Sequence, residues 1–150
     1  MIDLIIACAP NVAPTTIQEL IRVESSGNPL ALGINTKNGV RLRPTIKVDT
    51  APKAIAVAYA AIARGHTVDM GYMGINSANL KRLGYTVEDM FYDPCKNIKA
   101  GAQIFTEAYL QELPKHKNEQ AALAAALSIY ITGNRRSGFY NGYVSKFYRR

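Results

Sequence analysis

Histidine and cysteine are both scarce in this chain, with two of each in 150 residues. Cys8 and Cys95 lie far apart and form no CxxC pair, so no zinc site and no other metal site is expected. Long apolar runs are missing too: no stretch approaches the roughly 18 apolar residues of a membrane-crossing helix. The basic and apolar regions of a signal peptide are absent before Cys8, although Ile5-Ile6-Ala7-Cys8 has the outline of a lipoprotein attachment box. Acids are few relative to bases, 11 against 18, and the net charge of +7 suits an anionic partner such as nucleic acid, lipid headgroups or acidic cell-wall polymer. Apart from Arg41-Leu42-Arg43, Arg135-Arg136 and Arg149-Arg150 the bases are scattered, and no nucleic-acid fingerprint accompanies them, so nucleic acid is not expected as a partner. Internal repeats, low-complexity tracts and linkers are also lacking. With 48% hydrophobic residues, positions 1–150 read as a single domain with a real core.

The two cysteines leave two readings open, a Cys8–Cys95 disulfide and a pair of buried free thiols. The first would tie the N-terminal segment to a helix beginning near Pro94 and place the protein in an oxidising compartment.

Glu24 is the most informative single residue. Ile17, Leu20, Ile21 and Glu24 recur at i, i+3, i+4 and i+7, which puts a carboxylate in line with an apolar helical stripe. Burying an ionised carboxylate is expensive, so the group finds a partner or stays protonated, the state a general acid needs. The helix is expected to begin near Thr15 or Thr16, with Thr16 and Glu19 as a capping box, and to stop at Ser25-Ser26-Gly27-Asn28-Pro29. Glu24 then lies in the last turn, where the negative end of the helix dipole disfavours ionisation.

Further along, Ala31–Ile34 and Val40–Leu42 flank Asn35-Thr36-Lys37-Asn38-Gly39, a short hairpin expected to hold all the strand content. Asp49 or Thr50 caps a helix running to Gly65 with Pro52 in its first turn. Ser77 begins a shorter one toward Gly84, Pro94 opens another toward Leu113, and Asn118 caps one from Glu119 to about Thr132. Glu88, Asp89 and Asp93 read as a polar connection. Phe139 to Tyr148 reads as a last amphipathic turn or two, its aromatics Phe139, Tyr140, Tyr143, Phe147 and Tyr148 divided between core and groove. Asp69–Asn76, with Gly71 and Gly74, reads as a connection between helices where backbone passes close to a ligand or another chain. A phosphate loop would need a strand before it and a receiving helix after it, neither of which is evident, so no nucleotide cofactor is expected.

Three segments in order now form a pattern: Glu24-Ser25, Gly71-Tyr72-Met73-Gly74-Ile75-Asn76, and Ala126 through Tyr130 to Gly133-Asn134. This resembles the ordered motifs of the lytic transglycosylases, Glu-Ser, Gly-Leu-Met-Gln-Ile-Asn and Ala-x-x-x-Tyr-Asn-x-Gly. Cys8-Ala9-Pro10, the long segment between the first two motifs, and Asp93-Pro94-Cys95 with Asn97-Ile98 resemble the branch associated with type IV secretion and conjugation. The resemblance implies an α+β, predominantly helical, lysozyme-like fold with a groove for peptidoglycan glycan strands, and a periplasmic location beside secretion-system proteins. It implies Glu24 as the catalytic residue, Ser25, Met73, Asn76 and Tyr130 as substrate-binding residues, and no cofactor. Asn76 is open to a second role, capping the helix at Ser77. Because the attacking hydroxyl belongs to the substrate, no second catalytic carboxylate is required, and Asp69, the only other acid beside a motif, is assigned no catalytic role.

Two positions depart from the pattern: Gly74 stands where the family usually has Gln, and Ile131 where it usually has Asn. They motivate one alternative, a catalytically impaired glycan-binding or assembly module; a goose-type lysozyme-like hydrolase is a second enzyme reading.

Overall fold

The computed structural model describes residues 1–132. The chain divides into two compact units, residues 1–101 and residues 102–150. The third motif's Gly133-Asn134 and the aromatics from Phe139 to Tyr148 lie outside the described residues.

The first unit begins with helix α1 (Ile2–Cys8), which buries Ile5 and Cys8. Helix α2 (Pro14–Ser25) follows, and its apolar stripe packs inward, with Ile17 and Leu20 fully buried and Ile21 nearly so. Each such side chain contributes about 1.5–3 kcal/mol by leaving water. The helix starts at Pro14, whose missing N–H and fixed φ suit the first helical position. Thr16 therefore falls inside the first turn, and the expected Thr16–Glu19 capping box does not form: no side chain caps this end, and Glu19 instead accepts from Arg22 Nε at 2.9 Å. At the other end Ser26 turns left-handed, φ 52°, and stops the helix one residue after Ser25.

The expected hairpin forms from β1 (Leu32–Asn35) and β2 (Arg41–Leu42), but the strands are not confined to it. Beyond helix α3 (Ala51–Ala63), capped by Thr50 Oγ1 accepting from Lys53 N, come β3 (Thr67–Met70) and β4 (Ile75–Asn76). The result is a four-stranded antiparallel sheet ordered β2-β1-β3-β4, with Gly33 opposite Asp69 and Asp69 opposite Asn76. The segment read as an inter-helix connection is thus a tight β3–β4 hairpin. In β3 the buried residues are Val68 and Met70, while Thr67 and Asp69 face the other side, the period-two alternation of a half-buried strand.

Asn76 caps a 3-10 turn (Ser77–Asn79) leading into helix α4 (Leu80–Leu83), which Gly84 ends in left-handed conformation. Helix α5 (Val87–Tyr92) occupies the stretch read as a polar connection, because Thr86 and Asp89 form a reciprocal capping box there. Helix α6 (Pro94–Glu112) opens with Asp93 Oδ1 accepting from Lys96 N. Near its start Cys95 is bonded to Cys8, Cα to Cα 5.4 Å, which pins α1 to α6.

In the second unit, helix α7 (Glu119–Thr132) is capped by Asn118 Oδ1 accepting from Ala121 N. Ala122, Ala125, Ala126 and Leu127 are buried on it. Tyr130 is half-buried and meets Phe105 edge to face, ring centroids 6.5 Å apart, and Ile131 is half-buried beside it. Among the described residues no helix is long and apolar enough to cross a membrane.

Candidate active site

Glu24 sits half-buried in the last turn of α2, directly after the apolar stripe has entered the core. Its carboxyl rests on the β3–β4 hairpin at Gly74. A Cβ at that position would stand 2.6 Å from Glu24 Oε2 and 3.3 Å from its Cβ and Cδ, so a side chain there would make the carboxyl shift from its present seat. Gly74 also has φ +61°, a backbone conformation natural for glycine. Burial is the main reason that the Glu24 pKa is pushed up to about 8; the charge of Asp69 raises it further, and Arg41 opposes the rise. Glu24 is therefore a carboxylic acid carrying its proton at neutral pH.

Asp69 is the hub of a polar network on the sheet. Its Oδ1 accepts from Asn76 Nδ2 at 2.9 Å, and its Oδ2 accepts from Asn35 Nδ2 at 2.9 Å and from Arg41 Nη1 at 2.7 Å. Register explains the meeting, since residues 35, 41, 69 and 76 lie on four neighbouring strands in paired or adjacent rows. Gly33 completes it: the Arg41 guanidinium lies across Gly33 in the space that a Cβ would fill. The two carboxyls thus sit in contrasting surroundings, Glu24 desolvated and Asp69 surrounded by donors, the kind of arrangement that separates a proton donor from a fixed negative charge.

The hairpin turn beneath Glu24 is braced from α6. Fully buried Asn97 accepts from Met73 N at 2.8 Å and donates to Met70 O at 3.0 Å and Met90 O at 3.2 Å. A Cβ on Gly71 would strike this amide, so the glycine is what lets Asn97 reach the turn.

The other residues singled out in the sequence take varied places. Ser25 is buried beside Glu24, with Oγ donating to Ile21 O at 2.9 Å, the ordinary back-bond of a helical serine. Met73 is 0% exposed and packs on Gly101, where a Cβ would lie 2.6 Å from its own Cβ. The turn carries Met73 into the core, where it supports the hairpin. Asn76 is engaged on both sides of its amide, Oδ1 accepting from Ala78 N at 3.0 Å and Nδ2 donating to Asp69 and to Thr67 Oγ1. Tyr130 belongs to the second unit. Sequence reasoning passed over Asn35, Arg41 and the electrostatic part played by Asp69; the strand alternation of Thr67-Val68-Asp69-Met70 is the signal that would have placed Asp69 on the site's face.

The sequence has counterparts among known proteins. The transglycosylase SLT domain matches residues 4–148. The chain is similar to the type IV secretion system protein virB1 of Brucella abortus biovar 1, 38% identical over 133 residues, covering 88% of this chain and 53% of that protein. It is also similar to protein virB1 of Agrobacterium fabrum, 35% identical over 139 residues, 93% of this chain and 54% of that one. The chain thus spans about half the length of the curated relatives it matches. No solved structure matches it. A buried acid at the end of α2, a Gly-x-Met-x-Ile-Asn hairpin beneath it, and a family match over nearly the whole chain agree: this chain belongs to the SLT transglycosylase family, in the branch of the VirB1 proteins.

Proposed function

We propose that residues 1–150 act as one lysozyme-like lytic transglycosylase domain that cleaves the β-1,4 bond between N-acetylmuramic acid and N-acetylglucosamine in peptidoglycan. The observation that carries this reading is the protonated Glu24 carboxyl, held by burial on the side-chain-free backbone of Gly74. Glu24 donates its proton to the glycosidic oxygen as the bond to muramic C1 breaks. The resulting carboxylate takes the proton of the muramic C6 hydroxyl while O6 bonds to C1, which closes a 1,6-anhydro ring and returns the acid to its starting state. Asp69, fixed by Asn35, Asn76 and Arg41, supplies a negative charge that favours the positive character developing at C1. We assign Tyr130, which keeps the phenol of the third motif, to substrate binding.

The relatives' designation as type IV secretion proteins supports a role in opening the cell wall locally for such an apparatus, and the Cys8–Cys95 bond supports work in the oxidising periplasm. Digestion of purified peptidoglycan followed by mass spectrometry tests the reading. Soluble 1,6-anhydro muropeptides that vanish with Glu24→Gln support it. Hydrated, reducing-end products would replace it with a lysozyme-like hydrolase, and an absence of products from folded, glycan-bound protein with a glycan-binding module.

A further inference from the structure

Outside the acid's immediate surroundings, the first unit carries a groove of about 630 Å³ between β1, β2 and the segment that follows β2. Its lining is mixed: Leu30, Leu32, Ile46 and Val48 supply apolar surface, and two guanidinium groups, Arg41 and Arg43, border it. Arg43 is exposed, and none of the hydrogen bonds or ion pairs among the described residues involves it. Arg41 is shared: Nη1 holds Asp69 Oδ2 and Asn35 Oδ1, while the side chain, 60% exposed, faces the groove. The groove is thus continuous with the catalytic network through one side chain.

We propose that this groove is a subsite for the carboxylate-bearing peptide that alternate sugars of the peptidoglycan strand carry, with Arg41 and Arg43 pairing its carboxylates and the side chains of Leu30, Leu32, Ile46 and Val48 meeting its aliphatic parts. The inference rests on the peptidoglycan reading above and names the part of that substrate which the groove takes. Charge and shape both argue for this occupant. Guanidinium forks match carboxylates bidentately, whereas in the peptide-bearing strand the lactyl groups are amides and the sugars themselves are uncharged, which leaves the peptide as the part that offers carboxylates to two cations. The subsite is also coupled to the chemistry. A carboxylate that engages Arg41 neutralises the cation opposing Glu24's protonated state, so the peptide-bearing sugar strengthens the acid's hold on its proton until the reaction calls for it.

The test is titration calorimetry with the Glu24→Gln protein, chosen to prevent cleavage, against peptide-bearing glycan tetrasaccharides and the same tetrasaccharides stripped by an amidase, with the lactyl carboxyls so exposed capped as methylamides. Expected is binding about tenfold tighter for the peptide-bearing form. In the double variant carrying Arg43→Gln as well, that preference falls below twofold, and because Arg43 makes no contact that the fold uses, unchanged circular dichroism accompanies the loss. Equal binding of both glycans, or a preference that survives Arg43→Gln, overturns the subsite and leaves the proposed function standing. Binding of neither glycan overturns both.

Discussion

The carboxyl of Glu24 rests on Gly74, with Oε2 only 2.6 Å from where a Cβ at Gly74 would be. The glycine that replaces the family's usual glutamine therefore does more than remove an amide. Its bare backbone leaves room for the acid and lets the β3–β4 hairpin cover it. Gly74→Ala is expected to strain a left-handed residue, cost about 1–2 kcal/mol of stability, and push the Glu24 carboxyl aside, lowering turnover severalfold. Thermal unfolding and a turnover assay check this; an alanine variant as stable and active as the wild type would contradict the contact.

Glu24→Gln is expected to reduce turnover by about 10²–10⁴-fold, the usual loss on removing a general acid. Its effect on stability has a sign fixed by linkage. The acid's pKa is about 8 in the folded chain against 4.5 ordinarily, so its stabilising protonation is complete below 4.5 and lost as pH rises through 8. The neutral amide escapes that loss. The melting temperature of Glu24→Gln relative to wild type should therefore climb between pH 5 and pH 9.

Asp69 and Arg41 act on the same acid in opposite directions. The falling limb of kcat/KM against pH should move to lower pH in Asp69→Asn and to higher pH in Arg41→Gln. A pH–rate series on both variants reads the two displacements, and movement in the same direction would refute the electrostatic assignment.

Asn97 satisfies three buried backbone groups with one side chain. Asn97→Ala removes all three bonds, at a cost of about 3 kcal/mol, and loosens the hairpin under Glu24. The expected outcome is a melting temperature lower by about 10 °C, at about 2–4 °C per kcal/mol for a chain of this size, with activity falling even at temperatures where the variant stays folded.

The Cys8–Cys95 bond closes a loop across 87 positions. Reduction, or Cys8→Ser with Cys95→Ser, should cost about 2–4 kcal/mol, and melting with and without a reductant measures it. Identical curves would show that the crosslink stabilises nothing.

Much of this site was legible because it rests on helical periodicity. Ile17, Leu20 and Ile21 dictated which way Glu24 points, and Ser26 and Gly27 marked where the helix stops. Turn chemistry was less legible. Thr16-x-x-Glu19 and Thr86-x-x-Asp89 offer the same capping pattern, and only packing, with Pro14 starting α2 early, decides that the second forms. Strands β3 and β4 were hidden because β4 is two residues long and β3 pairs on its other side with β1, remote in sequence, Leu32 opposite Met70. The network at Asp69 was hidden for the same reason: Asn35, Arg41, Asp69 and Asn76 become neighbours only through the register of four strands.

The central claim is that Glu24 holds a proton at neutral pH. Its most direct test is a carbon-13 NMR titration of side-chain-labelled glutamate, with Glu24→Gln to identify the resonance. The account predicts one carboxyl that titrates near pH 8 and is absent from the variant. A spectrum in which the resonance lost with Glu24→Gln titrates in the ordinary range, near 4.3, would contradict it.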